Sequence, residues 1–196
     1  MDVCFVEAGR DALAESGYFE LNGVDADVLR GRLLARKDVK QRETLQVVAR
    51  LGEKGSAKRV EEYIYPTEYR LRLDSGSGVE FDKYKMREVG ATVQAETALT
   101  DVEGQISVKF DAELVDAPEW VSRGVLKADG DGARSDVALE QPIFPAVRFG
   151  ADAKVKLGHT SVFGGVAAPL KGGADKVVLA FVKVDRVRPA QIASAK

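Results

Sequence analysis

Apolar positions recur at two periods along this chain, a helical one near its start and an alternating one over most of the rest. In residues 25–36, Val28, Leu29 and Leu33 repeat at helical spacing behind Asp25 and Asp27, either of which can cap a first turn. Leu29 and Leu33 then share one face, and Arg30, Arg32 and Arg36 point to water. A weaker helical pattern covers residues 5–15 and stops near Gly17. From Thr44 onward the period is two. Leu45, Val47, Ala49 and Leu51 alternate with Gln46 and Arg50, which predicts a strand with one buried face. Gly52, Gly55 and Ser56 supply a turn, and residues 58–65 return as the second arm of a hairpin. Pro66 ends that arm because it lacks the N–H a central ladder needs.

Residues 73–79, with DSGSG, read as a turn whose glycines do not lead from a strand into a helix at phosphate-loop spacing. Val89, Ala91, Val93 and Ala95 resume the alternation. Ile106, Val108, Phe110, Ala112 and Leu114 then alternate at every position with Ser107, Lys109, Asp111 and Glu113, joined to the preceding strand by a tight hairpin at 101–104. Residues 116–136 contain Pro118, Trp120 and ADGDGARSD and read as a surface loop. Asp129 and Asp131 have the spacing of two calcium ligands, but the rest of that loop motif is missing. Strands follow over 153–157, 159–166 and 176–187. The last is apolar on both faces over VVLAFV, so it belongs in the middle of a sheet or between layers. Seven or eight strands after one or two helices predict a mainly β fold: an antiparallel, immunoglobulin-like β-sandwich with one or two N-terminal helices. We expect one domain over 1–196, with a helical part over 1–40 and a β region over 43–187.

Composition narrows the function classes. The 196 residues are 45% hydrophobic, enough to build a sizeable core. With 29 basic against 31 acidic side chains, the charge balance lends no support to nucleic-acid binding. No apolar run approaches the ~20 residues of a membrane-spanning helix, and the first ten residues lack a signal-peptide pattern. Cys4 is the sole cysteine, so no disulfide forms within the chain; it reads as a small core residue. His159 is the sole histidine, which excludes metal sites built on paired histidines, and no serine sits in a G-x-S-x-G elbow. It reads as a structural or exposed residue between Gly158 and Thr160. No cofactor or metal is expected, and for an enzyme only scattered carboxylates remain.

Several segments, taken in order, resemble the C-terminal domain of bacterial secretins, the outer-membrane proteins of type II secretion and type IV pilus systems. DVLRGRLLARKDV (27–39) resembles the helix before the first secretin strand. ETLQVVARLGEKGSAKRVEEYIYPTEY (43–69) resembles the family's strand, turn and return strand, ending in the Y-P-T-E-Y of a secretin-like subgroup. REVGATVQAETAL (87–99) is similar to the V-G-x-x-L-x-V-x-P strand, and QPIFPAVRFGADAKVKLGHTSVFGG (141–165) to the Q-P-x-F-x-x-R segment and the strand reaching a double glycine. KVVLAFVKVDRV (176–187) is similar to the closing strand. Where the family has its V-P-x-L-G-D-x-P-x-x-G gate segment, this chain has VAAPLKGGAD, and the family's prolines near Asp101 and Lys183 are absent.

The resemblance implies a short secretin-related protein without the gate segment or the N-terminal ring domains. It would be a non-enzymatic accessory or structural component of a pilus or secretion apparatus. Its implied partners are other copies of itself and other pilus or secretion subunits. Its implied location is the periplasm or the outer membrane, with a signal peptide already removed. The candidate interaction surface is Tyr63, Tyr65, Pro66, Tyr69, Trp120, Phe144 and Phe149. Two readings are open for these residues: half-buried strand and crossover positions, or an aromatic surface of the kind interfaces favour. The alternative function is a cell-surface β-sandwich module that binds a glycan or host protein through Trp120 and the loop over 116–136.

Overall fold

Helix α2 (Ala26–Leu34) forms where the spacing predicts it, in a computed structural model that describes residues 1–20, 23–72, 78–130, 133–167 and 176–187. The Asp25 carboxylate caps it, accepting the backbone N–H groups of Asp27 at 2.9 Å and Val28 at 3.2 Å. Leu29 and Leu33 are buried beneath the helix. Thr160 ties it down by donating its hydroxyl to the Asp27 carboxylate at 2.7 Å.

The weaker helical pattern resolves differently. Residues 5–9 belong to strand β1 (Asp2–Gly9), and helix α1 occupies only Arg10–Glu15. Phe5, Val6 and Ala8 crowd together because β1 runs inside a sheet, antiparallel to β2 (Lys40–Gln46) on one side and to β10 (Lys176–Lys183) on the other. With β9 (Thr160–Ala167) the order is β2-β1-β10-β9. This explains the VVLAFV run: β10 is central, and both of its faces are covered. Leu179 and Phe181 join Cys4, Val6, Leu29 and Leu33 in a cluster on the helix side. Val178, Ala180 and Val182 join Val3 and Phe5 on the other side, in a cluster shared with Ala91, Val93, Val108 and Phe110.

The latter four residues come from a second antiparallel sheet made by β3 (Lys54–Arg72), β4 (Gly78–Leu99), β5 (Gln105–Val115) and β8 (Ala146–Lys156), in the order β3-β4-β5-β8. In β5 the alternation is kept at each predicted position, with Ile106, Val108, Phe110, Ala112 and Leu114 all buried. Among the described residues the fold is thus mainly β, with two helices and several antiparallel sheets. An immunoglobulin-like order would put the first strand at a sheet edge; here β1 lies between β2 and β10.

The described residues divide into two compact units. Unit 1 draws on Met1–Arg59, Ala91–Leu114 and Ala146–Lys196, and unit 2 on Val60–Gly90 and Val115–Pro145. The sheets and clusters above are the frame of unit 1, and β3 and β4 run on into unit 2.

Four local expectations are corrected. The strand expected over 45–51 ends at Gln46, and Val48 and Leu51 are exposed. β2 pairs with β1 whereas β3 pairs with β4, so the turn at Gly52 (φ 77°) carries the chain from one sheet to the other and closes no hairpin. Pro66 lies inside β3 instead of ending it. That strand is the outer one of its sheet, so a missing N–H breaks no ladder on its open side. The expected loop over 116–136 is mostly the hairpin of β6 (Glu119–Gly130) and β7 (Ala133–Ile143), whose register sets Trp120 opposite Pro142 and Asp129 opposite Arg134. Most of the DSGSG turn, Asp131 and most of VAAPLKGGAD lie outside the described residues.

Candidate interaction surface

Unit 2 consists of two hairpins, the far lengths of β3 and β4 and the pair β6–β7. At 19 and 22 residues, β3 and β4 are several times longer than an ordinary strand. Cross-strand ion pairs mark their register: Lys83 Nζ lies 2.8 Å from Glu68 and Arg70 Nη2 lies 3.1 Å from Asp82. These pairs are exposed and add little stability. The Glu68 carboxylate nevertheless holds the Lys83 ammonium above its ordinary pKa.

Aromatic side chains join the two hairpins. Tyr63 and Tyr65, two apart on β3, both meet Phe144, with ring centroids 5.9 Å and 5.2 Å away. The Arg87 guanidinium lies 5.6 Å from the centre of the Phe144 ring, a cation–π contact. Further along, the Tyr69 hydroxyl donates to the backbone carbonyl of Glu140 at 2.6 Å. Next to that bond lies a groove of about 360 Å³ lined by Pro66, Tyr69, Phe81, Tyr84, Trp120 and Glu140. Its rings are mutually tilted, Phe81 at 60° to Tyr69 and 59° to Tyr84.

Six of the seven candidate residues therefore belong to unit 2, three beside Phe144 or as that residue and three in the groove. Phe149 does not: it is buried in unit 1, its ring 5.5 Å from Phe5, and it belongs to the core. Its alternation within β8 is that of an inward position, which the sequence alone did not distinguish from a surface aromatic. Phe81, Tyr84 and Glu140 were not anticipated. Phe81 and Tyr84 are 52% and 58% exposed although large and aromatic, and their neighbours Asp82, Lys83 and Lys85 hid them in a stretch without alternation. Exposed Ile64 and Met86 extend the apolar surface of the same hairpin.

Unit 1 holds two polar groupings of its own. A concavity of about 390 Å³ on the second sheet is lined by Gln94, Asp111, Glu113 and Arg148, and the last two are paired at 3.0 Å. Inside the first sheet, Glu7 is buried and accepts from Arg42 Nη1 at 2.6 Å and from Lys176 Nζ at 2.9 Å. Burial acts to raise the Glu7 pKa, but the hydrogen bonds and charges of Lys176 and Arg42 together hold it below its ordinary value. This triad fastens β1 to both neighbouring strands.

Cys4 is buried in the core, and His159 is exposed in the turn before β9. Among the described residues, no group of three or more His, Cys, Asp or Glu side chains is arranged to hold a metal ion. No helix among them is long and apolar enough to cross a membrane. No protein-family model, curated protein or solved structure matches this chain.

Proposed function

We propose that this chain is a non-enzymatic assembly subunit, a secretin-related component of a pilus or secretion apparatus in the bacterial envelope. In this reading unit 1 is a β-sandwich that anchors the subunit, and the hairpins of unit 2 associate with other copies or with neighbouring subunits of the apparatus. The supporting observation is that β3 is an outer strand and β6–β7 a two-stranded sheet, so their outer edges have no ladder partner among the described residues. Two-stranded ribbons are marginal by themselves, and open edges invite further pairing. Ile64, 66% exposed on β3, adds apolar surface that association would cover. Secretin-type sheets close only when many protomers contribute strands, which is the use such hairpins would serve.

The test is the solution mass by light scattering on a sizing column, without detergent, over a range of protein concentrations, for the native chain and for Ile64→Lys. A discrete oligomer that the substitution weakens is the expected result. A monomer at every concentration overturns the reading.

A second reading, a cell-surface module for a glycan or host protein, is favoured by the position of Trp120 in the aromatic groove. Saturable glycan binding abolished by Trp120→Ala would support its glycan arm, and a blank glycan array counts against it.

A further inference from the structure

We infer that the groove of unit 2 is a recognition site for an arginine side chain of a partner protein. The argument starts from charge. Four aromatic residues, Tyr69, Phe81, Tyr84 and Trp120, line the groove together with Glu140, and none of the described lining residues is basic. Ring faces carry the negative lobe of the aromatic quadrupole and attract cations. The Glu140 side chain has no ion-pair partner among the described residues, so its carboxylate is available to a guanidinium, which it can meet through two parallel hydrogen bonds.

Shape selects within the cationic class. The 60° and 59° tilts make the rings the walls of a cradle, not a flat platform. A sugar ring stacks on a flat face and needs a set of donors and acceptors for its several hydroxyls; among the described lining residues there is no amide, lysine or arginine, the Tyr69 hydroxyl already donates to the Glu140 backbone carbonyl, and the polar groups left are the Glu140 carboxylate, the Tyr84 hydroxyl and the Trp120 indole N–H. A lone quaternary ammonium head would leave most of the roughly 360 Å³ unfilled. A guanidinium on its three-carbon stem, with flanking backbone, fills more of it, and its planar face stacks on tyrosine and tryptophan. Pro66 in the groove has no N–H to offer an added strand, so side chains carry the recognition. The inference stands apart from self-assembly: a monomeric chain can hold the arginine, and an oligomer can lack the site.

Trp120 is the only tryptophan in the chain, so its emission reports on this groove alone. The probes are the blocked tripeptide acetyl-Gly-Arg-Gly-amide, its citrulline analogue, tetramethylammonium and chitotriose. The expected result is a saturable change in Trp120 emission with the arginine peptide, weaker with the other three. Binding should be about tenfold weaker in Glu140→Gln, the loss of one charge-assisted contact. Tyr84→Leu, at an exposed position where folding is not at stake, should weaken it as well. No saturation by the arginine peptide overturns the inference, as does an equal response to the neutral citrulline peptide. So does a stronger response to tetramethylammonium or chitotriose, and so do unchanged affinities in both variants.

Discussion

Replacing Glu7 with glutamine tests whether the charged triad inside the first sheet stabilises unit 1 or merely occupies it. Glu7 is 4% exposed, and its carboxylate receives Arg42, whose side chain is 17% exposed, and Lys176, whose side chain is 44% exposed. A hydrogen bond to a charged group contributes about 1.5–3 kcal/mol net. The Lys176 contact is discounted to below about 1 kcal/mol because water screens it. Glutamine keeps the shape and one acceptor oxygen, so Glu7→Gln should cost about 2 kcal/mol near neutral pH. With a urea slope of about 2 kcal/mol per molar, the midpoint should fall by about 1 M in far-ultraviolet circular dichroism. The pH dependence has a defined sign. Because the folded Glu7 carboxyl sits below its ordinary 4.5, its contribution is fully present above that value and is lost as the pH falls through the lower, folded one. The gap between native chain and variant should therefore close as the pH is lowered from about 7 to about 2. A variant as stable as the native chain at neutral pH would refute the reasoning, since desolvation would then outweigh pairing. So would a gap that does not change with pH.

Other outcomes follow from single positions. Leu33→Ala, at a fully buried site where α2 meets the first sheet, should lose about 2–5 kcal/mol and lower the calorimetric melting temperature by several degrees. Asp25→Ala removes the cap of α2 and should cost about 1 kcal/mol by the same measurement, whereas Asp25→Asn should retain most of it. Gly104 turns the β4–β5 connection at φ 78° with nothing near its missing side chain. Gly104→Ala should therefore cost only the left-handed backbone strain, about 1 kcal/mol, and a much larger loss would mean the turn is packed more closely. Ile64→Lys should leave the urea midpoint within the equivalent of about 0.5 kcal/mol even where it reduces the oligomeric mass.

Local pattern determined much of this protein. Asp25 followed by Leu29 and Leu33 specifies a capped helix with one buried face because both features depend on neighbours three or four residues away. The unbroken alternation from Ile106 to Leu114 specifies β5, and the doubly apolar VVLAFV specifies a central strand. Tertiary structure decided what pattern leaves degenerate. Phe5, Val6 and Ala8 suit a helix face or a strand covered on both sides, and only the pairing of β1 with β2 and β10 chose the strand. Whether residues 45–65 form a hairpin or cross between sheets depends on which distant strands supply the ladder, and for β2 that partner is the N-terminal strand. The aromatic surface shows the same division. Tyr63, Tyr65, Pro66, Tyr69, Trp120 and Phe144 stand out by residue type, but the groove needed Phe81, Tyr84 and Glu140, contributed by β4 and β7. Phe149 went to the core because its partner, Phe5, lies 144 positions away, beyond the reach of any local pattern.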